Sequence, residues 1–393
     1  MTTVPLSFKT ANTRSFIKPF PLSLYIHFPW CVKKCPYCDF NSHALKADLP
    51  EDHYIQALLM DLEQALPQIW GRPIHSIFMG GGTPSLFSPR AIDFLMTQIR
   101  ALLKIPPGIE ITLEANPGTV EQSRFEGYKN AGINRISLGI QSFSEKKLTQ
   151  LGRIHNHTEA LSAIQAVRAA GFDDFNIDLM YSLPEQTVEE ALTDLKIAVD
   201  CEPPHLSWYQ LTLEPNTPFH HRPPKIPDHD LCCDIEEAGL NFLSQSSYKR
   251  YEISAFTRQK PCIHNINYWE FGDYLGIGAG AHSKITDFQK GTIFREVRHK
   301  HPKDYLALDK NFLAKRTEIP LEERAFEYML NTLRLLNGVP LTDFQERTGL
   351  LLSEIQKPLA EAEKKQWLIL AKQTLQTTPL GQRFLNDLTS LFL

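Results

Sequence analysis

The chain has 393 residues, too many for one ordinary core, and reads as two or three domains. Hydrophobic residues make up 42% and charged residues 22%, the balance of a soluble globular protein, and no apolar run approaches the roughly 20 residues that span a bilayer. A net charge of −4 gives no reason to expect nucleic-acid binding, and seven cysteines, three of them in one loop, are not a secreted disulfide framework.

Residues 1–20 scatter Lys9, Arg14 and Lys18 among polar residues. They lack the apolar core of a signal peptide, so they read as a short flexible arm on a cytoplasmic protein. A strand is predicted at 22–26. It leads into Cys31-Val-Lys-Lys-Cys35-Pro-Tyr-Cys38, where three thiols within eight residues can face one centre. Lys33 and Lys34 would favour the thiolate form. A four-iron cluster normally takes four thiolates, but Asp39, Phe40, Asn41 and Ser42 follow here, so one iron would keep an open position. The same C-x2-C is a zinc half-site that His27 or His43 could complete, and a disulfide is a third reading.

Tyr54, Ile55, Leu58, Leu59, Leu62 and Leu66 recur at helical spacing and predict a helix over 50–66. A strand at 74–79 runs into Gly80-Gly81-Gly82-Thr83-Pro84. Ser88-Pro89 reads as an N-cap with proline in the first turn of a helix to about residue 103. Strand 110–114 follows, then a helix opened by a Thr119/Gln122 capping box and stopped by Gly132. Strand 135–139 closes into Gln141, with helices at 144–151 and 158–170. Strand 175–180 is followed by a helix to residue 200 that Thr187 and Glu190 cap. Strand 205–213 and helix 230–243 complete the series.

Six strand–helix units predict an α/β fold with a parallel sheet covered by helices. Six are too few for a complete eight-unit barrel, so a partial (β/α)6 TIM-like barrel over 21–247 is expected, with an open doubly wound sheet as the alternative. Either way the working face is the C-terminal edge of the strands. There the sequence puts the cysteine loop, the triple glycine, Glu114, Gln141, Asp178 and Thr212.

Residues 248–317 form a less regular connecting region. Residues 248–255 could form a strand, and 274–281 are glycine-rich and apolar. Between them lies His264-Asn265-Ile-Asn-Tyr268-Trp269. A second domain is expected over 318–393, with helices near 321–336, 341–349 and 354–365, a strand at 367–370 and a last helix from Pro379. This mainly helical pattern is winged-helix-like. Its ten acidic and eight basic residues give a net −2, so a lid or docking role fits better than DNA reading.

The strand-edge residues suggest a ligand. Gly80 to Gly82 carry no Cβ to block close approach. Glu114 suits a ligand amine, Gln141 and Asp178 suit ribose hydroxyls, and Tyr37 suits a base. Together they describe an aminoacyl nucleoside.

On these residues the sequence resembles the radical S-adenosylmethionine superfamily. C-x3-C-x2-C with Tyr37 before its last cysteine is similar to the superfamily's cluster loop, and Gly80–Pro84 to its glycine motif. The resemblance is closer to the branch of oxygen-independent coproporphyrinogen III oxidases and heme chaperones. It rests on Leu24-Tyr-Ile-His-Phe-Pro-Trp-Cys31, Glu114-Ala-Asn-Pro117, Asn134-Arg-Ile-Ser-Leu-Gly-Ile-Gln-Ser-Phe143, Asn176-Ile-Asp-Leu-Met180, His264 to Trp269 and the C-terminal domain.

The resemblance implies a [4Fe–4S] cluster on Cys31, Cys35 and Cys38, with S-adenosylmethionine chelating its fourth iron. It implies cofactor contacts from Tyr25, Tyr37, Gly81, Gly82, Thr83, Glu114, Gln141, Arg153, Asp178 and Thr212. In the oxidases some of these positions serve a second S-adenosylmethionine. Phe40 stands where the oxidases carry a fourth cysteine, and about twenty residues before Leu22 cannot supply their N-terminal extension. His264, Asn265, Tyr268 and Trp269 match a motif that the chaperones associate with heme; His27, His282 and Cys262 are competing iron ligands. The departures favour a heme chaperone that binds heme and transfers it to an acceptor protein. The alternative is radical decarboxylation of coproporphyrinogen III. A reductant for the cluster is implied, and a homodimer is compatible with the sequence.

Overall fold

The computed structural model describes residues 16, 19–118, 122–307, 311–371 and 373–393. The six expected strands are β1 (Leu22–Phe28), β2 (Ile74–Gly81), β3 (Glu110–Ala115), β4 (Arg135–Gln141), β5 (Phe175–Tyr181) and β6 (His205–Gln210). They pair in parallel in chain order. The intervening helices are α1 (Glu51–Ile69), α2 (Pro89–Leu102), α3 (Gln122–Asn130), α4 (Glu145–Gln150), α5 (His157–Ala169) and α6 (Val188–Asp200), with α7 (His229–Gln245) after β6.

The helix starts follow their caps. The Ser88 hydroxyl accepts from the Ala91 N–H, with Pro89 at the first position. Thr187 and Glu190 form a reciprocal capping box. Asn156 and Glu159 form a second one, which moves the start of α5 ahead of the expected Thr158. The Thr119 cap lies outside the described residues.

Alternation along the strands separates two environments. Leu24, Ile26, Ile77, Met79, Leu113, Leu138, Ile177, Leu179, Leu206 and Trp208 join the main apolar core that the helices cover. The opposite face carries Ser23, Ser76, Thr112, Ser137, Asn176 and Ser207. These bond to one another: Ser23 to Ser76 at 2.7 Å, and Asn176 Nδ2 to Ser137 and Ser207 Oγ at 3.0 and 2.9 Å. One face is therefore an apolar seat for helices and the other a polar inner wall.

The sheet is larger than six strands. It runs through β7 (Lys249–Arg250), β8 (Ala255–Thr257), β9 (Asp273–Ile277), β10 (His282–Asp287), β11 (Thr292–Arg298) and β12 (Leu313–Glu318), in the order β12-β11-β10-β9-β1-β2-β3-β4-β5-β6-β8-β7. β9 is a seventh parallel strand beside β1, and β10 to β12 continue it antiparallel. β8 adds antiparallel to β6, and β7 antiparallel to β8. The barrel stays open, and its parallel edges are covered rather than left as unpaired backbone.

A short helix, α8 (Ile263–Trp269), lies against the polar inner face. Asn267 Nδ2 on it donates to Ser23 Oγ at 2.9 Å and to the Asp273 carbonyl at 3.0 Å. A second apolar core follows, built on α9 (Leu321–Thr332), α10 (Leu341–Thr348) and α11 (Gln356–Lys364) with a three-stranded antiparallel sheet of β13 (Val339–Pro340), β14 (Leu368–Ala371) and β15 (Thr374–Thr377). Phe16 and Phe20 are buried in that core, so the arm expected over 1–20 packs at its described end. The rest of that arm lies outside the described residues. No helix among the described residues is long and apolar enough to cross a membrane.

The extension is tied to the barrel by a buried carboxylate. Asp61 of α1 accepts from Arg298 Nε at 2.8 Å, Tyr305 Oη at 2.9 Å and the Gly278 N–H at 3.1 Å. Arg298 also reaches Glu296 at 3.0 Å. Asp61→Ala leaves Arg298 with a single buried carboxylate partner. It is expected to cost about 3–5 kcal/mol, read as a lowered unfolding midpoint of the full chain.

Candidate functional site

Cys31 closes a two-residue parallel pairing, Trp30–Cys31 with His43–Ala44, so both ends of the cysteine loop are pinned to each other. Leu45 N–H donates to the Cys31 carbonyl at 2.8 Å, and Cys38 N–H to the Cys35 carbonyl at 3.2 Å. The three thiols are free and half-buried. Burial pushes Cys31 and Cys38 up from the ordinary thiol value, while Thr83 and Ser42 hydrogen bonds work against that at Cys31.

Zinc ligands in a tetrahedron stand about 3.8 Å apart, given a Zn–S bond near 2.3 Å. Among the described residues, only Glu110, Cys262 and His264 bring three metal-capable atoms within 4.8 Å of one another. The loop thiols are not among the atoms so grouped. Lys34 charge favours the thiolate at Cys38, and the cation that donates to a loop sulfur is Arg153. Lys34 Nζ donates to the Phe40 carbonyl at 3.0 Å, and Arg153 Nη1 donates to Cys35 Sγ at 3.7 Å.

Arg153 reaches this point because Gly152, at φ +69°, turns the chain against Pro36. Its Nη2 bonds the Gly139 carbonyl and Asn116 Oδ1, and its Nε is buried without a partner. Asn116 in turn donates to Thr83 Oγ1 at 2.8 Å.

A cavity of about 450 Å³ opens over the strand ends. Cys35, Tyr37, Glu114, Gln141, Arg153 and Asp178 line it, with Gly81, Gly82 and the exposed Thr212 at its edges. Thr83 is buried behind it and donates its N–H to the Trp30 carbonyl at 2.8 Å. Asp178 accepts from Ser137 at 3.0 Å and Asn176 at 2.8 Å. Gln141, at φ +71°, accepts from the Tyr209 hydroxyl at 2.7 Å. Tyr37 packs on Phe219 with ring centroids 6.3 Å apart.

The glycines do something other than leave room for a ligand. A Cβ on Gly82 would stand 2.5 Å from the Trp30 carbonyl oxygen, and one on Gly81 would stand 2.3 Å from the His27 ring. Gly81 also has φ +108°, which an L side chain rarely adopts. The space is filled by the protein's own β1 segment, so these glycines let the cysteine loop and β2 approach.

Glu114 is half-buried with one hydrogen bond, 3.1 Å from the Gly81 N–H, and has no cationic partner among the described residues. Burial and the nearby Asp178 push its carboxyl up to about 8. A carboxyl without a cationic partner and a guanidinium N–H without an acceptor among the described residues, on two residues that line one cavity, fit a ligand that carries both an amine and a carboxylate.

A second cavity of about 730 Å³ adjoins the first. The two share Cys38, Asp39, Phe40, Ser42, Gly81 and Glu114. Tyr25 lines the second one, stacked 6.0 Å from Phe78, with its hydroxyl 2.8 Å from His27 Nδ1. Tyr268 and Trp269 also line it, but His264 and Asn265 do not. Asn265 lies 3.4 Å from the Tyr251 hydroxyl. His264 is buried beneath, its Nδ1 2.6 Å from Glu110 Oε1 and its ring centroid 4.3 Å from that of Phe78. Glu110 also accepts the Ile263 and His264 N–H groups at 2.8 and 3.1 Å.

Burial opposes ionisation of Glu110, but the His264 and Ile263 hydrogen bonds and the Arg135 charge overcome it and hold the carboxyl well below its usual range. Burial holds His264 below its usual value, against the pull of the Glu110 hydrogen bond and charge. Cys262, buried, lies 3.3 Å from the same carboxylate. The loop residue that sequence reading missed is Asn41. Its Nδ2 donates to the Ala279 and Lys300 carbonyls, both at 2.8 Å, and its carbonyl lies 2.9 Å from His27 Nε2. No spacing signal marks it, because its partners lie more than two hundred residues away.

A sequence-family model described as the radical SAM superfamily matches residues 25–198, and one described as the HemN C-terminal domain matches 319–384. The chain is 51% identical to a Haemophilus influenzae protein named heme chaperone HemW, over 95% of this chain and 98% of that one. It is 49% identical to the Escherichia coli protein of the same name, over 96% and 99%. Among solved structures, coproporphyrinogen III oxidase (HemN) from Escherichia coli superposes with a TM-score of 0.81 at 24% identity, covering 95% of this chain and 90% of that one. At that identity the likeness is one of fold.

Glu114 generates a pH prediction. Its carboxyl holds a proton up to about 8 in the folded chain, against an ordinary value of 4.5. Folding therefore takes up a proton between those values, and this group's contribution to stability falls as pH rises through that window. Glu114→Gln removes the dependence. In the ligand-free chain it is expected to raise the unfolding midpoint at pH 8 and to leave it nearly unchanged at pH 5, compared by thermal melts at both values.

Proposed function

The chain belongs to the radical S-adenosylmethionine superfamily and, within it, to the heme chaperone HemW family, and from that premise we propose that it binds heme and hands it to an acceptor protein. A [4Fe–4S] cluster and S-adenosylmethionine are its cofactors, as the family implies. The observation that carries the reading in the molecule itself is the pair of adjoining cavities. One is suited to an aminoacyl nucleoside at the cysteine loop and the other, larger, is aromatic, with the Cys38–Ser42 segment as their common wall.

In this reading Cys31, Cys35 and Cys38 hold the cluster, and Arg153 screens thiolate charge at Cys35. Glu114 ionises when it meets the ligand amine, and Arg153 Nε is placed for the carboxylate. Gln141 and Asp178 are polar partners for ribose hydroxyls, Tyr37 flanks the base, Gly81 and Gly82 shape the wall with Thr83 behind it, and Tyr25 faces the adjoining larger cavity. Thr212 stands at the rim. When bound and reduced, the cofactors supply cleavage of the sulfonium. The chain's own residues exclude water and fix the ligand; an external reductant and the acceptor protein complete the system. Phe40, exposed between the cavities, replaces the fourth thiol of the decarboxylases with an apolar surface.

Two expected outcomes follow. Anaerobically reconstituted protein carries about four irons per chain, and Cys35→Ser loses them, measured by iron and sulfide analysis. Incubated anaerobically with a reductant, S-adenosylmethionine and coproporphyrinogen III, the chain yields no vinyl product, yet it retains added heme through gel filtration. Vinyl product would put the decarboxylase reading first.

A further inference from the structure

The larger cavity contains groups that the cluster site does not use. The Tyr268 hydroxyl and the Trp269 indole N–H are both buried with no hydrogen-bond partner among the described residues, and both residues line the cavity. Buried donors left without acceptors point to a ligand that brings its own, such as carboxylates. Phe40 presents an exposed ring at the mouth, and Lys300 adds a cation on the wall. A flat, apolar macrocycle with carboxylate arms has these complementary features, and about 730 Å³ lies within the range of small-molecule sites.

An iron at its centre needs an available ring nitrogen. His27 is not available: Nε2–H is directed to the Asn41 carbonyl, which leaves Nδ1 to accept from the Tyr25 hydroxyl. His264 is held by Glu110 and lies off the cavity wall. His43 also lines the cavity, but its ring is edge-on against His301 at 5.1 Å and its Nε2, unpartnered among the described residues, is buried, less open to a macrocycle than an exposed ring. His282 is different. It lines the cavity, it is exposed, and its imidazole has no hydrogen-bond partner among the described residues. It is the first residue of β10, on the turn that Asn41 ties to the cysteine loop through the Ala279 carbonyl.

Resting on the heme reading above, we infer that this cavity receives the macrocycle, that His282 supplies an iron ligand, and that His264 only positions Tyr268 and Trp269 by anchoring α8 on Glu110. Partial desolvation against the cavity wall, with Lys300 and Arg295 nearby, holds the otherwise exposed His282 below its usual value, the direction that favours the neutral, ligating form.

The test is titration of the full-length, cluster-reconstituted chain with ferric heme, followed by difference absorbance and electron paramagnetic resonance. The wild type is expected to show an imidazole-ligated heme. His282→Ala should lose that signature and weaken binding by about tenfold or more, and free imidazole should restore the spectrum. His264→Gln should keep the signature. If the wild type binds no heme, the functional reading itself fails. If it binds and His282→Ala keeps the wild-type spectrum, or His43→Ala abolishes it instead, the ligand assignment is overturned. Should His264→Gln fail to fold by circular dichroism, the His282→Ala loss and its imidazole rescue still decide the assignment.

Discussion

The arrangement depends on a single buried carboxylate at the bottom of the barrel. Glu110 opens β3 and points to the inner face, where a charge without partners would be costly. It is satisfied by two N–H groups at the start of α8, by the His264 ring and by the nearby Arg135. That clasp fixes where α8 begins. Asn267, bonded to Ser23 and to the Asp273 carbonyl, fixes where it points. The helix fills the lower lumen, and its last residues, Tyr268 and Trp269, become the floor of the larger cavity. The Glu110, Cys262 and His264 atoms lie close enough for a metal ion, yet they are already engaged in capping this helix.

At the top of the barrel Asn41 has the corresponding role. It lies three residues past the last loop cysteine and bonds both the β9–β10 turn and the Lys300 carbonyl. The cluster loop and the antiparallel extension therefore share one joint. Gly280 is required there, because a Cβ would stand 2.2 Å from Asn41 Nδ2. A change at the cysteine loop bears directly on the strand that carries His282, with no need for a long path of intermediates. Two adjoining cavities thus stand on either side of one short segment, Cys38 to Ser42.

Much of this was readable before any coordinates. The strands β1 to β6 and their helices follow from apolar runs, caps and glycine stops, because each signal is local. The same runs place Glu114, Gln141 and Asp178 at the strand ends, since a parallel sheet puts all its carboxyl ends on one edge. The extension was hidden for the opposite reason. β11 and β12 alternate polar and charged residues, as in Arg295-Glu296 and Lys315-Arg316, and one-sided strands of that kind resemble loops until a neighbour is known. Lys33 and Lys34 sat closest in sequence to the thiols, yet the cation that reaches Cys35 is Arg153, brought in by a turn 118 residues later.

By itself, the sequence determined the chain's chemical vocabulary: three thiols at fixed spacing, a glycine run after a strand, acids and amides at strand ends, and phenylalanine in place of a fourth thiol. Covalent spacing and side-chain alternation are properties of the chain, so they need no partner to be read. Only the tertiary structure decided what each group faces. Parallel pairing gathered separate strand ends around one cavity, the lumen turned His264 toward Glu110, and the extension brought His282 to a second cavity. Burial and the nearby Asp178 hold the Glu114 carboxyl up, while hydrogen bonds and neighbouring positive charge hold Glu110 down against its own burial, although both are glutamates on the same strand.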